Sequence, residues 1–343
     1  MAQLVLGMGM SHSTMVTLDT AFWAEWAEQD RTISALIDQE GRLLSFAQLA
    51  EQVGERYAEQ ATLERWKEQH AEIHSACARL TAAIEAAKLD LLVIVGDDQL
   101  ELFSFENIPA LAIYYGERLV SGLWSTRFHT FIRKGAPPPV FSTELWDAVA
   151  KGYAMDAHHE FASAPVFARE LLENLVAQGF DVSGLGSMPA HDDIAGLGHA
   201  FGAIMTQVMP EKAVPIVPVL VNTYFPPNQP TPSRCYDLGL ALRRAIESSP
   251  ADLRVGILAS GGLSHFVTDE AFDHQVLNAL REGSEERLRT LPERFLRFGS
   301  SEIRNWVAVA AATRHLKLAW DAYIPVYRTA AGTGCGVAFV CWS

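Results

Sequence analysis

The chain has 343 residues, of which 49% are hydrophobic and 20% charged. At roughly 100–200 residues per domain, this is one large domain or two ordinary ones, and the balance excludes a disordered chain, a collagen and a coiled coil. Lys+Arg number 27 against 41 Asp+Glu, a net charge of −14; a chain this acidic repels phosphate backbones and argues against a nucleic-acid partner, although a pocket can still carry the opposite sign.

No apolar run approaches the ~20 residues a membrane helix needs, so no membrane association is expected. The opening MAQLVLGMGMSHSTMV has neither a basic leader nor a cleavage pattern. Cys77, Cys235, Cys335 and Cys341 are scattered without a CxxC pair. Reduced, buried thiols in a cytoplasmic protein are expected.

In chain order, apolar runs alternate with longer amphipathic ones, the pattern of an α/β fold. Residues 3–7 predict a short buried strand, followed by a glycine-spaced turn into Ser11-His12. A polar stretch precedes 63–88, where Trp66, Ile73, Cys77, Leu80 and Ile84 recur at three- and four-residue spacing and predict a long helix. DLLVIV (90–95) reads as a central strand covered on both faces, ending in Gly96-Asp97-Asp98, and 111–115 as the next strand. Helices are expected over 166–178, closed by Gly179, and over 197–209. A strand over 214–224 carries Pro215 and Pro218, which argue for an edge or an irregular course. Ser233 can cap a helix running to Ser248. A buried strand over 254–260, helices over 269–281 and 300–314, and a last strand over 336–342 complete the pattern. The expectation is a single compact α/β domain over 1–343, with a central mixed sheet flanked by helices and a helical insertion around 20–88. The alternative is two domains divided near Pro137–Pro139.

Functional groups in such sheets gather beyond the carboxyl ends of strands. Four places qualify. His12 follows the first strand, and imidazole is a good ligand for ferrous iron or zinc. Asp97 and Asp98, with Gln99 and Glu101, sit at a buried strand end, where adjacent acids cost desolvation unless paired or metal-bound. His191, Asp192, Asp193 and His199 precede or enter a helix, and a histidine there could act as an acid or base. Ser264-His265 follows Gly261-Gly262, with Asp269 and Glu270 shortly after. Each also has a plain structural reading as a hydrogen-bonded, capping or ion-paired residue. The glycine pair lacks the GxxxxGK[ST] and GxGxxG spacings, and no GxSxG elbow is present. His70 and His74 share a helix face, but Ala71 stands where an HExxH zinc motif needs glutamate, so they read as surface residues.

The Ser-His after the first strand, GDDQ, GLGHAFG (196–202), VNTYFPPNQPTPSRC (221–235), ASGGLSHFVTDE (259–270), GSSEIRNW (299–306) and AGTGCGVAF (331–339) occur in this order. Together they resemble the class III extradiol ring-cleavage dioxygenases, the type of the protocatechuate 4,5-dioxygenase β subunit. The resemblance covers almost the whole chain. It implies non-haem Fe(II) held by two His and one Glu, with open positions for a catechol and O₂, and a further His as acid or base. It also implies a homodimer or larger homo-oligomer.

Carried over residue by residue, His12 matches the first ligand. The second His position falls on Gln99, followed by Leu100. The Glu position, sought after GGLSH, falls on Ala271, with Glu270 one residue away. The acid/base maps to His199, or to His191 eight residues earlier, and His265 matches a histidine near the substrate. One expectation is therefore a dioxygenase with an altered ligand set of His12, Asp98 or Glu101, and Glu270. The other is a metal-free relative doing lyase, hydrolase or isomerase chemistry with His199 and His265, or a non-catalytic subunit. Tyr224 and Phe266 are expected to stack on an aromatic substrate and Arg328 to pair with a substrate carboxylate. Arg304 reads as structural.

Overall fold

A computed structural model describes residues 1–125, 141–189, 192–211 and 213–343. The Pro137–Pro139 segment lies outside the described residues. Nine strands form one mixed sheet: β1 (Gln3–Met10), β2 (Leu91–Gly96), β3 (Leu111–Tyr114), β4 (Ser183–Leu185), β5 (Ile216–Val221), β6 (Arg254–Ser260), β7 (His265–Val267), β8 (Leu318–Tyr327) and β9 (Thr333–Trp342). Their order is β7-β9-β1-β6-β2-β5-β3-β4, with β8 also paired to β9. The four central strands β1, β6, β2 and β5 are parallel, and antiparallel pairs enclose them on both sides.

β2 shows why the sheet is central. Its six residues are all buried and alternate between two cores. Leu91, Val93 and Val95 face one core with α3 (Pro165–Ala177), α5 (Pro232–Ser248), α6 (Glu270–Glu282) and α7 (Ile303–Ala312). Leu92 and Ile94 face the other, with α2 (Leu63–Ala87) and α4 (His199–Gln207). The period-two side-chain direction of a strand thus builds a three-layer α/β fold from a continuous apolar run. A further helix, α1 (Trp23–Asp30), lies before α2 and contributes Trp23 to the same core as α2. No helix among the described residues is long and apolar enough to cross a membrane. All four cysteines are buried and free, and burial pushes the Cys77 and Cys235 thiols up to about 12.

Three local expectations are revised. The first strand runs on to Met10, so Gly7 and Gly9 lie inside it rather than in a turn. A Cβ on either would enter Thr313 or the Trp306 ring, so these glycines let α7 approach the sheet. The proline-bearing strand β5 is interior, between β2 and β3. Its ladder to β3 stops at Ile113–Val219, one residue short of Pro218, so the missing N–H falls where that side of the ladder is open. The helix after PPNQPTP is capped by Thr231, with Pro232 in its first turn, because proline's fixed φ suits that position.

Gly9→Ala is expected to destabilise the protein by about 1–3 kcal/mol, the usual cost of forcing a methyl into a packed core. Urea denaturation of the variant against wild type measures it.

Candidate functional site

The carboxyl ends of β1, β6 and β2 lie side by side because these strands are parallel neighbours. Their register, with Met10 opposite Ser260, brings His12 next to the Ser260-Gly261-Gly262 turn. α7 fixes that turn from behind: Asn305 Nδ2 donates to the Ser260 carbonyl at 2.9 Å and Trp306 Nε1 to the Gly261 carbonyl at 2.7 Å. Glu302, immediately before α7, thereby reaches the same point and accepts the Gly262 N–H at 2.7 Å.

One ligand atom each from His12, His199 and Glu302 lies within 4.8 Å of the others, and all three residues are buried. The hydrogen bonds around them define which nitrogens are available. Ser260 Oγ donates to the Ala200 carbonyl at 2.5 Å, so toward His12 Nδ1, 2.9 Å away, it accepts. Nδ1 of His12 therefore carries the hydrogen, and in the neutral ring Nε2 is a bare lone pair. That Nε2 lies 3.1 Å from Glu302 Oε2 and makes no hydrogen bond. A buried lone pair facing a carboxylate oxygen calls for a proton or a metal cation between them. His199 is arranged alike: Nδ1 donates to Glu101 Oε1 at 2.5 Å, leaving Nε2 for the centre. A carboxylate or hydroxyl behind each imidazole is how metal-binding histidines are oriented. The donor set of two imidazoles and one carboxylate fits a divalent transition metal.

Glu101 also accepts the His199 backbone N–H, at the first turn of α4, and the Gln99 N–H. Burial by itself would raise the Glu101 carboxyl, but the His199 imidazole overrides it and holds the carboxyl below its ordinary value. Burial likewise opposes the charge on His199, and Glu101 overcomes it, raising the imidazole to about 9. His265 closes the cluster on another side. Its Nδ1 meets the Leu263 carbonyl at 2.9 Å and its Nε2 lies 3.2 Å from Glu302 Oε1. Burial would strip its proton, yet the Glu302 charge keeps it protonated well above the ordinary histidine range. Gln99 bridges Asp97 and Glu302 through Nε2, at 3.2 and 3.1 Å. Its amide thus acts toward these carboxylates as a donor.

This cluster forms the floor of a cavity of about 940 Å³, open mouth included, walled by Trp26, Trp124, Tyr153, Tyr224 and Phe266 among others. His12, His199, His265, Tyr224, Phe266 and Arg328 all line it. Asp98 and Glu270 do not come to it. The buried Asp98 carboxylate accepts the N–H groups of Leu100, Leu102 and Phe103 and so folds the loop after β2. Glu270, in the first turn of α6, accepts from the Tyr327 hydroxyl at 2.6 Å. Ala271 is in the same turn. His191 lies outside the described residues. Arg304 is buried and donates to the Pro230 and Leu296 carbonyls, a structural tie. Arg328 is bound to Asp30 by two hydrogen bonds.

Glu302 is the residue that sequence reasoning passed over. It stands in GSSEIRNW, a segment already matched as a motif, while the carboxylate was sought after GGLSH. No local feature of that segment marks the acid as more than a helix-start residue.

Residues 124–338 match the family model of the catalytic LigB subunit of aromatic ring-opening dioxygenase. The chain belongs to this family. Of the segments that meet at the cavity floor, the LigB match includes those carrying His199, the Ser260–His265 turn and Glu302, and it begins after His12 and the Asp97–Glu101 loop. The chain is also similar to gallate dioxygenase of Pseudomonas putida, 43% identical over 105 residues. That alignment covers 30% of this chain and 28% of the relative, so the two correspond over little more than a quarter of the relative's length.

Two measurements follow from this geometry. Ser260→Ala removes the acceptor behind His12 and is expected to weaken metal binding about 10–100-fold, read by competition with a chromogenic chelator. The second concerns Asp273, which accepts from Ser264 N and Oγ and from the Tyr323 hydroxyl. Burial raises its carboxyl to about 7 from 3.8. Between those values the folded protein holds a proton that the unfolded chain has lost, so Asp273 makes stability increase as pH falls from 7 toward 4, with no further change below. Asp273→Asn is expected to flatten that part of the stability–pH curve relative to wild type, as followed by urea midpoints from pH 4 to 8.

Proposed function

We propose that this protein is an extradiol-type ring-cleavage dioxygenase that acts on a catecholic substrate with Fe(II) and O₂. One observation carries the reading: in a chain of this family, the ligand atoms of His12, His199 and Glu302 converge at the floor of an aromatic-walled cavity. These three residues would hold the metal. Bound there, ferrous iron would supply the redox chemistry that couples dioxygen to a catechol diol.

The chain's own groups do the rest. Glu101 and Ser260 fix the tautomers of His199 and His12, so that each Nε2 is presented to the centre. Gln99 and the Gly262 N–H hold the Glu302 carboxylate in place. Tyr224 and Phe266 offer aromatic faces on which a flat ring can stack. His265 keeps a proton at Nε2 beside Glu302 and can deliver it to an oxygen of the opening ring. In this arrangement His199 serves the metal and His265 is the acid. A homo-oligomer in a reducing, cytoplasmic compartment completes the proposal; the four buried free thiols suit such a compartment.

The test is anaerobic loading with Fe(II), followed by metal analysis and oxygen uptake with a catechol. Stoichiometric iron and uptake that depends on both iron and substrate are expected. Glu302→Ala is expected to lose the iron. His265→Gln is expected to keep the iron while kcat falls about 10²–10⁴-fold. Turnover of a phenol by iron-free protein under argon would instead assign metal-independent acid–base chemistry.

A further inference from the structure

The geometry points to an uncarboxylated ortho-diphenol with apolar ring substituents as the substrate, and to Asp30 as the residue that enforces this choice. The inference rests on the ring-cleavage reading and names its substrate class.

Arg328 lines the cavity, where a guanidinium would ordinarily mark a carboxylate-binding site. Here it is already committed. Its Nε and one terminal nitrogen donate to the two oxygens of Asp30 at 2.8 and 3.0 Å. The pair is deeply buried, with side-chain exposures of 4% for Arg328 and 2% for Asp30. Asp30 closes α1 and Arg328 directly follows β8, so two segments 298 residues apart are brought together for this contact. A side-on, two-point pair leaves no net charge to offer a ligand. A substrate carboxylate could recruit Arg328 only by displacing Asp30, which would leave a buried anion unpaired, or by sitting beside a carboxylate already in place.

The rest of the lining points the same way. Among the described residues that line the cavity, Arg328 is the one Lys or Arg, whereas Asp30, Glu101 and Glu302 are acidic. Among the described lining residues, a further carboxylate on the ligand would find the one guanidinium already paired. The same cavity presents Trp26, Ile33, Trp124, Met155 and Phe266, which suit alkyl or aryl substituents.

The experiment is isothermal titration calorimetry of the full-length protein, loaded with Fe(II) under argon, with 4-methylcatechol and with 3,4-dihydroxybenzoate. The two share a diol and differ in methyl against carboxylate at one position. Wild type is expected to bind 4-methylcatechol about tenfold or more tightly than the acid. Asp30→Asn, which leaves the Arg328 charge uncompensated, is expected to shift the ratio toward the acid by about tenfold. Wild-type preference for 3,4-dihydroxybenzoate overturns the inference while leaving the ring-cleavage reading intact, and so does an unchanged ratio in a folded Asp30→Asn protein. Binding of neither diol removes the ring-cleavage reading and this inference with it. If the variant does not fold, the wild-type comparison alone decides.

Discussion

The constraint on which the site depends is the buried Glu302 carboxylate. It is fully enclosed, yet its charge is held well below the ordinary carboxylate range, because His265 and His12 outweigh the cost of burial. A lone carboxylate in such a place would protonate; one met by two imidazoles, the Gln99 amide and the Gly262 N–H stays an anion. These partners come from three segments, His12 after β1, Gln99 after β2, and Gly262 and His265 after β6, so the anion ties the tips of those strands to the start of α7. Removing it would leave imidazoles and an amide gathered around nothing.

Around that anion, charge is matched pairwise. His199 answers Glu101 and Arg328 answers Asp30, all of them buried or nearly so. Among the described residues Asp97 forms no ion pair, and burial together with Glu302 lifts its carboxyl to about 7. A strongly acidic chain thus builds a cavity whose floor presents imidazole nitrogens and in which Arg328, the one Lys or Arg among the described lining residues, is neutralised. The net charge of −14 says nothing about this arrangement, since most of it lies on exposed side chains. Local pairing decides what the cavity can admit.

Much of the architecture was legible in the chain. The run at 90–95, the long amphipathic helix ending near Ala87 and the 254–260 strand fall within a residue or two of their expected places, because each is a long signal of one period. The strand at 216–221 was legible as a strand but misplaced toward an edge. Its one proline, Pro218, obeys a hydrogen-bond rule that is met locally, by a short neighbour that stops before it. At the site, His12, His199 and His265 stood out as histidines near strand or helix ends. Asp98 and Glu270 stood out for the same reason, but their carboxylates are engaged with nearby backbone N–H groups and with Tyr327. Glu302 did not stand out, because nothing in GSSEIRNW distinguishes a ligand from a helix-start acid.

The sequence alone determined the fold class, the order of strands and helices along the chain, and the concentration of imidazole and carboxylate at strand ends, since periodicity and turn residues act over short distances. Which carboxylate meets which imidazole was decided only by tertiary structure. His12 and Glu302 are 290 residues apart, as Asp30 and Arg328 are 298, and no local pattern encodes a partner that distant. Parallel pairing of β1, β6 and β2 brings the segments after these strands together at the cavity floor.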